Sequence, residues 1–86
     1  MNQNDEMNRR HILYNLEEAR DEIDLVIRDL KRSGEYTQER FRRAMAHIVH
    51  HTNIAWNGRT TPHDIGEAPE EAIREWSRYP ADLEPL

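Results

Sequence analysis

From residue 6 to residue 33 the chain carries no glycine and no proline, and in that stretch Ile12, Leu16, Ala19, Ile23, Val26 and Leu30 recur at steps of 4, 3, 4, 3 and 4. Alternating steps of three and four keep side chains on one side of a helix, at the spacing of a coiled-coil seam. The pattern predicts a long helix over residues 6–33 with one apolar stripe. Ser33-Gly34 ends it, glycine being suited to the left-handed position after a helix. Lys31 and Arg32 stand favourably against the helix dipole.

A second stripe follows at once. Phe41, Met45, Ile48, Thr52 and Ala55 repeat steps of 4, 3, 4 and 3, with Thr37 placed to cap the helix start and Asn57-Gly58 to end it. Two matched stripes joined by about four residues predict an antiparallel hairpin of helices over 6–33 and 37–57. Counting outward from the turn pairs Leu30 with Phe41, Val26 with Met45, Ile23 with Ile48, Ala19 with Thr52 and Leu16 with Ala55. Beyond a loop, Pro69 suits the first turn of a third, short helix over 69–79, with Ile73, Trp76 and Tyr79 as its buried face. Pro80 stops it, and residues 80–86 form a loose tail. The expected fold is therefore all-α: one helical domain over residues 1–86, built as a long hairpin with a short helix across its open end.

Eighty-six residues make a small core, since a chain of this length buries only about 60–65% of its unfolded surface. Met7, Tyr14 and Leu25 add a second, thinner apolar line on the first helix that one hairpin does not cover. Both points favour a homodimer, in which two hairpins form a four-helix bundle. There is no cysteine, so disulfides, thiolate zinc sites and cysteine nucleophiles are excluded. No apolar run approaches the roughly 18 residues of a membrane span. The opening MNQNDEMNRR is polar and has no apolar segment of a secretory leader, which points to the cytoplasm.

The formal net charge is −5, and its distribution says more than its size. Residues 1–34 carry net −2 and residues 60–86 net −5. Residues 35–59 carry net +2 and three of the five histidines. His47, His50 and His51 lie at i, i+3 and i+4, the spacing of metal ligands on a helix. On a helical wheel they fall with Arg40, Arg43 and Ile54 on an arc facing away from the first helix. This Arg/His stripe is the expected contact surface, for a protein partner or for the acidic residues 67–75 of the same chain. The alternative is a metal site on His47, His50 and His51, holding zinc or another divalent metal with a carboxylate from elsewhere. Nucleic acid is disfavoured, because a small basic patch on an acidic chain is a weak electrostatic footprint. Acidification toward pH 5–6 would add charge to the cluster.

The acidic run Glu17-Glu18-Ala19-Arg20-Asp21-Glu22 resembles the EExxE helix motif of all-α nucleotide pyrophosphatases, which implies magnesium held between paired helices. The resemblance covers six residues. Such a cage needs acids on the facing helix, and nothing between Glu39 and Asp64 is acidic. Glu-x-x-His pairs of a di-iron bundle are absent, the two serines are far from any histidine in sequence, and the three glycines form no phosphate loop. With no catalytic constellation, the sequence reads as a small non-enzymatic accessory or regulatory module that binds a protein partner.

Overall fold

The computed structural model describes residues 6–86; the first five residues of the polar N-terminal stretch lie outside them. The described residues form three helices and no strand: α1 (Arg9–Arg32), α2 (Gln38–Asn57) and α3 (Glu70–Trp76). No helix among them is long and apolar enough to cross a membrane.

Each long helix starts on a side-chain cap. Asn8 Oδ1 accepts from the backbone N–H of His11 at 3.0 Å, and Thr37 Oγ1 accepts from that of Arg40 at 3.1 Å. These bonds satisfy N–H groups that a helix start leaves without partners. Asn8 also ties the start of α1 to the loop after α2. Its Nδ2 donates to the carbonyls of Thr61 (2.8 Å) and His63 (3.0 Å), and its N–H to that of Arg59 (2.7 Å). At the other end α1 leaves through an extended Ser33, whose N–H donates to Asp29 O. Gly34 does not take the left-handed conformation expected of it; among the described residues only Gly66 has positive φ.

The helices α1 and α2 form an antiparallel hairpin, but not on the expected stripes. The residues that meet are His11, Asn15, Ala19, Glu22, Val26 and Asp29 on α1, with Arg40, Ala44, His47, Ile48, His51 and Ile54 on α2. At most positions the contact falls one residue before the predicted one: Asn15 for Leu16, Glu22 for Ile23, Asp29 for Leu30, Arg40 for Phe41, His47 for Ile48. Of the predicted stripe, Ala19, Val26, Ile48 and Ala55 stay buried; Ala19, Val26 and Ile48 form one apolar cluster with Ala44 beside them. Leu16, Ile23, Leu30, Phe41 and Met45 are exposed. The proposed pairs Leu30–Phe41 and Val26–Met45 are thus corrected. One residue of shift is a 100° step on the wheel. Both helices turn in the same sense about their own axes, and they run antiparallel. Their displaced apolar stripes therefore emerge together on one face of the hairpin.

Loop and third helix close the opposite face. Asn53 Nδ2 donates to the carbonyl of Ser77 (3.0 Å), and Asn57 Nδ2 to those of Trp76 and Arg78 (both 2.7 Å). Trp76 meets the buried His11 ring edge-on at 5.5 Å between centroids. Gly58 passes between them: a Cβ there would lie 2.6 Å from His11 Nε2 and 3.0 Å from Trp76. The helix α3 stops at Trp76, short of the expected residue 79, and Tyr79 is 80% exposed rather than buried. The tail is anchored rather than loose at Asp82, which accepts from Trp56 Nε1 at 3.0 Å and pairs with Arg59 at 3.5 Å. Arg59 also stacks over the Trp56 ring, 3.8 Å from its centroid. These contacts hold the Asp82 carboxyl below its usual pKa, the Trp56 hydrogen bond being the largest cause.

Candidate functional site

Two of the three clustered histidines face the first helix. His47 and His51, one turn apart on α2, sit opposite Glu22 and Asn15 of α1. His47 Nδ1 lies 2.9 Å from Glu22 Oε1, and His51 Nδ1 lies 2.9 Å from Asn15 Oδ1. Asn15 Nδ2 donates to the carbonyl of His11 at 3.0 Å, which fixes its amide oxygen toward His51. His51 Nδ1 is therefore the protonated nitrogen of that contact, since a carbonyl oxygen only accepts. The two Nε2 atoms turn toward each other at 3.2 Å. Glu22, His47, His51, Asn15 and the His11 backbone thus form one chain of contacts from helix to helix.

The chain has a proton count. Its two ends are acceptors, and three hydrogen bonds run through four ring nitrogens, so three protons are needed where two neutral imidazoles bring two. With both Nδ1–H groups engaged, two neutral rings would set one Nε2 lone pair against the other at 3.2 Å. Burial, then the neighbouring His47 and His50, hold the His51 pKa below its ordinary value, with Glu18 acting in the opposite sense.

The remaining members of the predicted stripe are scattered by the fold. Ile54 is 5% exposed and belongs to the core, where its carbonyl accepts from His11 Nε2 at 3.0 Å. This corrects its expected role as an exposed contact. Arg40 lies 3.4 Å from Asp29 of α1 and over the Tyr36 ring, and Arg43 pairs with Glu39 of its own helix at 3.4 Å. His50 is half-buried, its ring edge-on to that of His51 at 5.3 Å. It lines a cleft of about 270 Å³ between the hairpin and the 63–68 loop, with His11, Tyr14, His63, Ile73 and Trp76. The stripe is therefore a hairpin contact (His47, His51), a core residue (Ile54) and two arginines with acids of their own. Among the described residues no group of three or more histidine and acidic side chains is placed to hold a metal ion.

The acidic run on α1 is likewise divided. Glu22 turns to His47, and Glu18, one turn earlier, lies in the field of His51, whereas Asp21 pairs outward with Arg20 at 3.8 Å. The facing helix offers two imidazoles where a magnesium cage would need carboxylates.

A second surface went unread in the sequence as a surface, because its residues were assigned to the hairpin core. Leu16, Ile23 and Leu30 of α1 and Phe41 and Met45 of α2 are 39–54% exposed, and Leu13 and Ile27 adjoin them. The sign available beforehand was the polar residue preceding eight of the eleven stripe positions, which repeats with the same period and offers matched partners across the hairpin. Comparison with protein-family models, with curated proteins and with solved structures finds no match to this chain.

Proposed function

We propose that this chain is a cytoplasmic, non-enzymatic helical interaction module whose contact surface is the apolar face of the hairpin, and that a second copy is its first partner. The observation that carries this reading is the row Leu16, Ile23, Leu30, Phe41 and Met45, exposed on one side at coiled-coil spacing. Covering each of these half-exposed side chains contributes about 1 kcal/mol. The Arg/His stripe is a weaker candidate for the protein contact than it was in sequence, because Arg40, Arg43 and His47 already have acids beside them.

Surface area supports the same reading. A standard interface removes about 800 Å² from each partner, and the exposed side chains of this row with Leu13 and Ile27 beside them offer a continuous apolar surface for it. Glu17, Arg20, Asp24 and Lys31 alternate in sign along the outer edge of α1. An antiparallel alignment about Ile23 brings Lys31 of one copy near Glu17 of the other, and Arg20 near Asp24. The product is a four-helix bundle.

Sedimentation equilibrium tests the proposal. Wild type should sediment at twice the chain mass, and Ile23→Glu with Leu30→Glu should give a helical monomer. A wild-type monomer at micromolar concentration overturns the proposal, and so does a dimer that survives the double substitution.

A further inference from the structure

We propose that His47 and His51 form a proton-sensing latch at the hairpin interface: the pair holds one proton beyond those of its two neutral rings, and α1 and α2 are bound most firmly in that state. The latch is independent of the apolar face and follows from the donors and acceptors that the two helices set opposite each other.

No neutral arrangement satisfies all three contacts. Asn15 Oδ1 takes the Nδ1–H of His51 at 2.9 Å, because the Asn15 amide is turned by its bond to the His11 carbonyl. The other proton of a neutral pair belongs to His47. Placed on Nδ1, it serves Glu22 at 2.9 Å and leaves two Nε2 lone pairs opposed at 3.2 Å. Placed on Nε2, it bridges to His51 and sets the Nδ1 lone pair against the Glu22 carboxylate. Either tautomer loses one contact of the three. One added proton completes them all, whether it resides on the His47 ring or on the Glu22 carboxyl. A second is one too many: with both rings charged, two Nε2–H groups confront each other across the same 3.2 Å.

The surroundings act in the same direction. From α1, Glu22 meets His47 and Glu18 lies in the field of His51, so two carboxylates favour a positive charge on the pair. On α2, His50 stands edge-on to His51 at 5.3 Å. Arg40 and Arg43 border the groove beside His47, each with an acid of its own, Asp29 and Glu39. From the loop, His63 and Asp64 line the cleft that His51 reaches, and Asp64 pairs with Arg10 at 3.7 Å. Burial, then His47 and His50, lower the pKa of His51, which opposes the second proton. A histidine of lowered folded pKa takes its proton more readily in the unfolded chain. Its contribution is held above the ordinary value of about 6.5 and lost as pH falls through the folded one. On the alkaline side the added proton leaves and takes one contact with it. Stability therefore passes through a maximum between the two steps.

Nitrogen-15 NMR of the histidine rings in the full chain, titrated from pH about 8.5 to about 4.5 across the ordinary histidine range, tests the latch. Protons should enter the pair one at a time, in two steps at least about tenfold apart in proton concentration. His51 should keep its Nδ1–H tautomer through the first step. Glu22→Gln should weaken uptake of the first proton about tenfold, by removing the opposite charge. Urea unfolding at fixed chain concentration should give its highest midpoint between the steps. His47→Gln should flatten that maximum, whereas His63→Gln should keep it. His47 is half-exposed, so His47→Gln keeps the fold, which circular dichroism checks. Two rings that titrate together as independent histidines overturn the proposal, a result that needs no variant. So does an Nε2–H tautomer of His51 at neutral pH, a first step unmoved by Glu22→Gln, or a stability maximum that survives His47→Gln.

Discussion

One face of the hairpin presents Leu16, Ile23, Leu30, Phe41 and Met45, each roughly half exposed, while the interface beside it holds His11, Asn15, Glu22, His47 and His51 in continuous hydrogen-bonded contact. The two regions come from the same pair of helices and from adjacent positions in sequence. Their difference lies in what each kind of group needs. A polar group removed from water costs about 1–3 kcal/mol unless a partner stands at the right distance and angle. Every buried side-chain nitrogen and oxygen among the described residues has such a partner. Apolar groups need only a surface that excludes water, from any direction. When a hairpin can bury only one line of contacts, the directional groups take the internal position, and the apolar stripe is left for a surface brought from outside.

The comparison breaks most visibly if the apolar face is charged. Ile23→Glu with Leu30→Glu should raise the dimer dissociation constant at least about 100-fold, equivalent to about 2.7 kcal/mol, while leaving α1 and α2 helical by circular dichroism. If the helices melt instead, the row supports the hairpin itself and the two faces are not separable. On the closed side, Gly58→Ala forces a Cβ against His11 and Trp76, which the His11–Ile54 hydrogen bond keeps from yielding. An expected loss of about 2 kcal/mol, within the usual 1–3 for overpacking, should appear in the thermal melt of the monomeric Ile23→Glu, Leu30→Glu background. Asn15→Leu should cost about 1–2 kcal/mol by stranding His51 Nδ1. It should not change the oligomeric state. A shift in dimer affinity with Asn15→Leu would mean that the faces communicate, since separated sites without shared partners add independently.

The smallest effect concerns the tail. Asp82 is held ionised below the usual carboxylate range, chiefly by the Trp56 N–H. An acid with a lowered folded pKa contributes to stability above its unfolded value and loses that contribution as pH falls through the folded one. The tail contact should therefore survive acidification to pH near 4 and release below it, read as a change in Trp56 emission that Asp82→Asn abolishes. Because the group is largely exposed, global melting should hardly move.

Much of the molecule was legible beforehand. The stripes at steps of three and four, the unbroken run before Ser33 and the Thr37 cap gave two long helices and a hairpin. The N-terminal cap was not: Asn8 is one of several asparagines near the start, and only its bonds to Thr61 and His63, more than fifty residues away, single it out. The histidines were found, but their orientation was reversed. His47 and His51 face α1 because the helices meet one residue earlier than the apolar pattern implied, and Ile54 was carried into the core by the same turn.

What the sequence determined by itself is the period: an apolar residue every third or fourth position obliges the backbone to be helical and gathers those residues on one side. What only the tertiary structure decided is the phase, meaning which line of each helix faces the other. Period is a local property, fixed by the geometry of one helix. Phase depends on partners distant in sequence: Ala19 and Ala44 small enough for close approach, Glu22 and Asn15 at the height of His47 and His51, and a loop and third helix able to close one side only. No window of the sequence contains those pairs, so the face that was left open became visible only when the chain was folded.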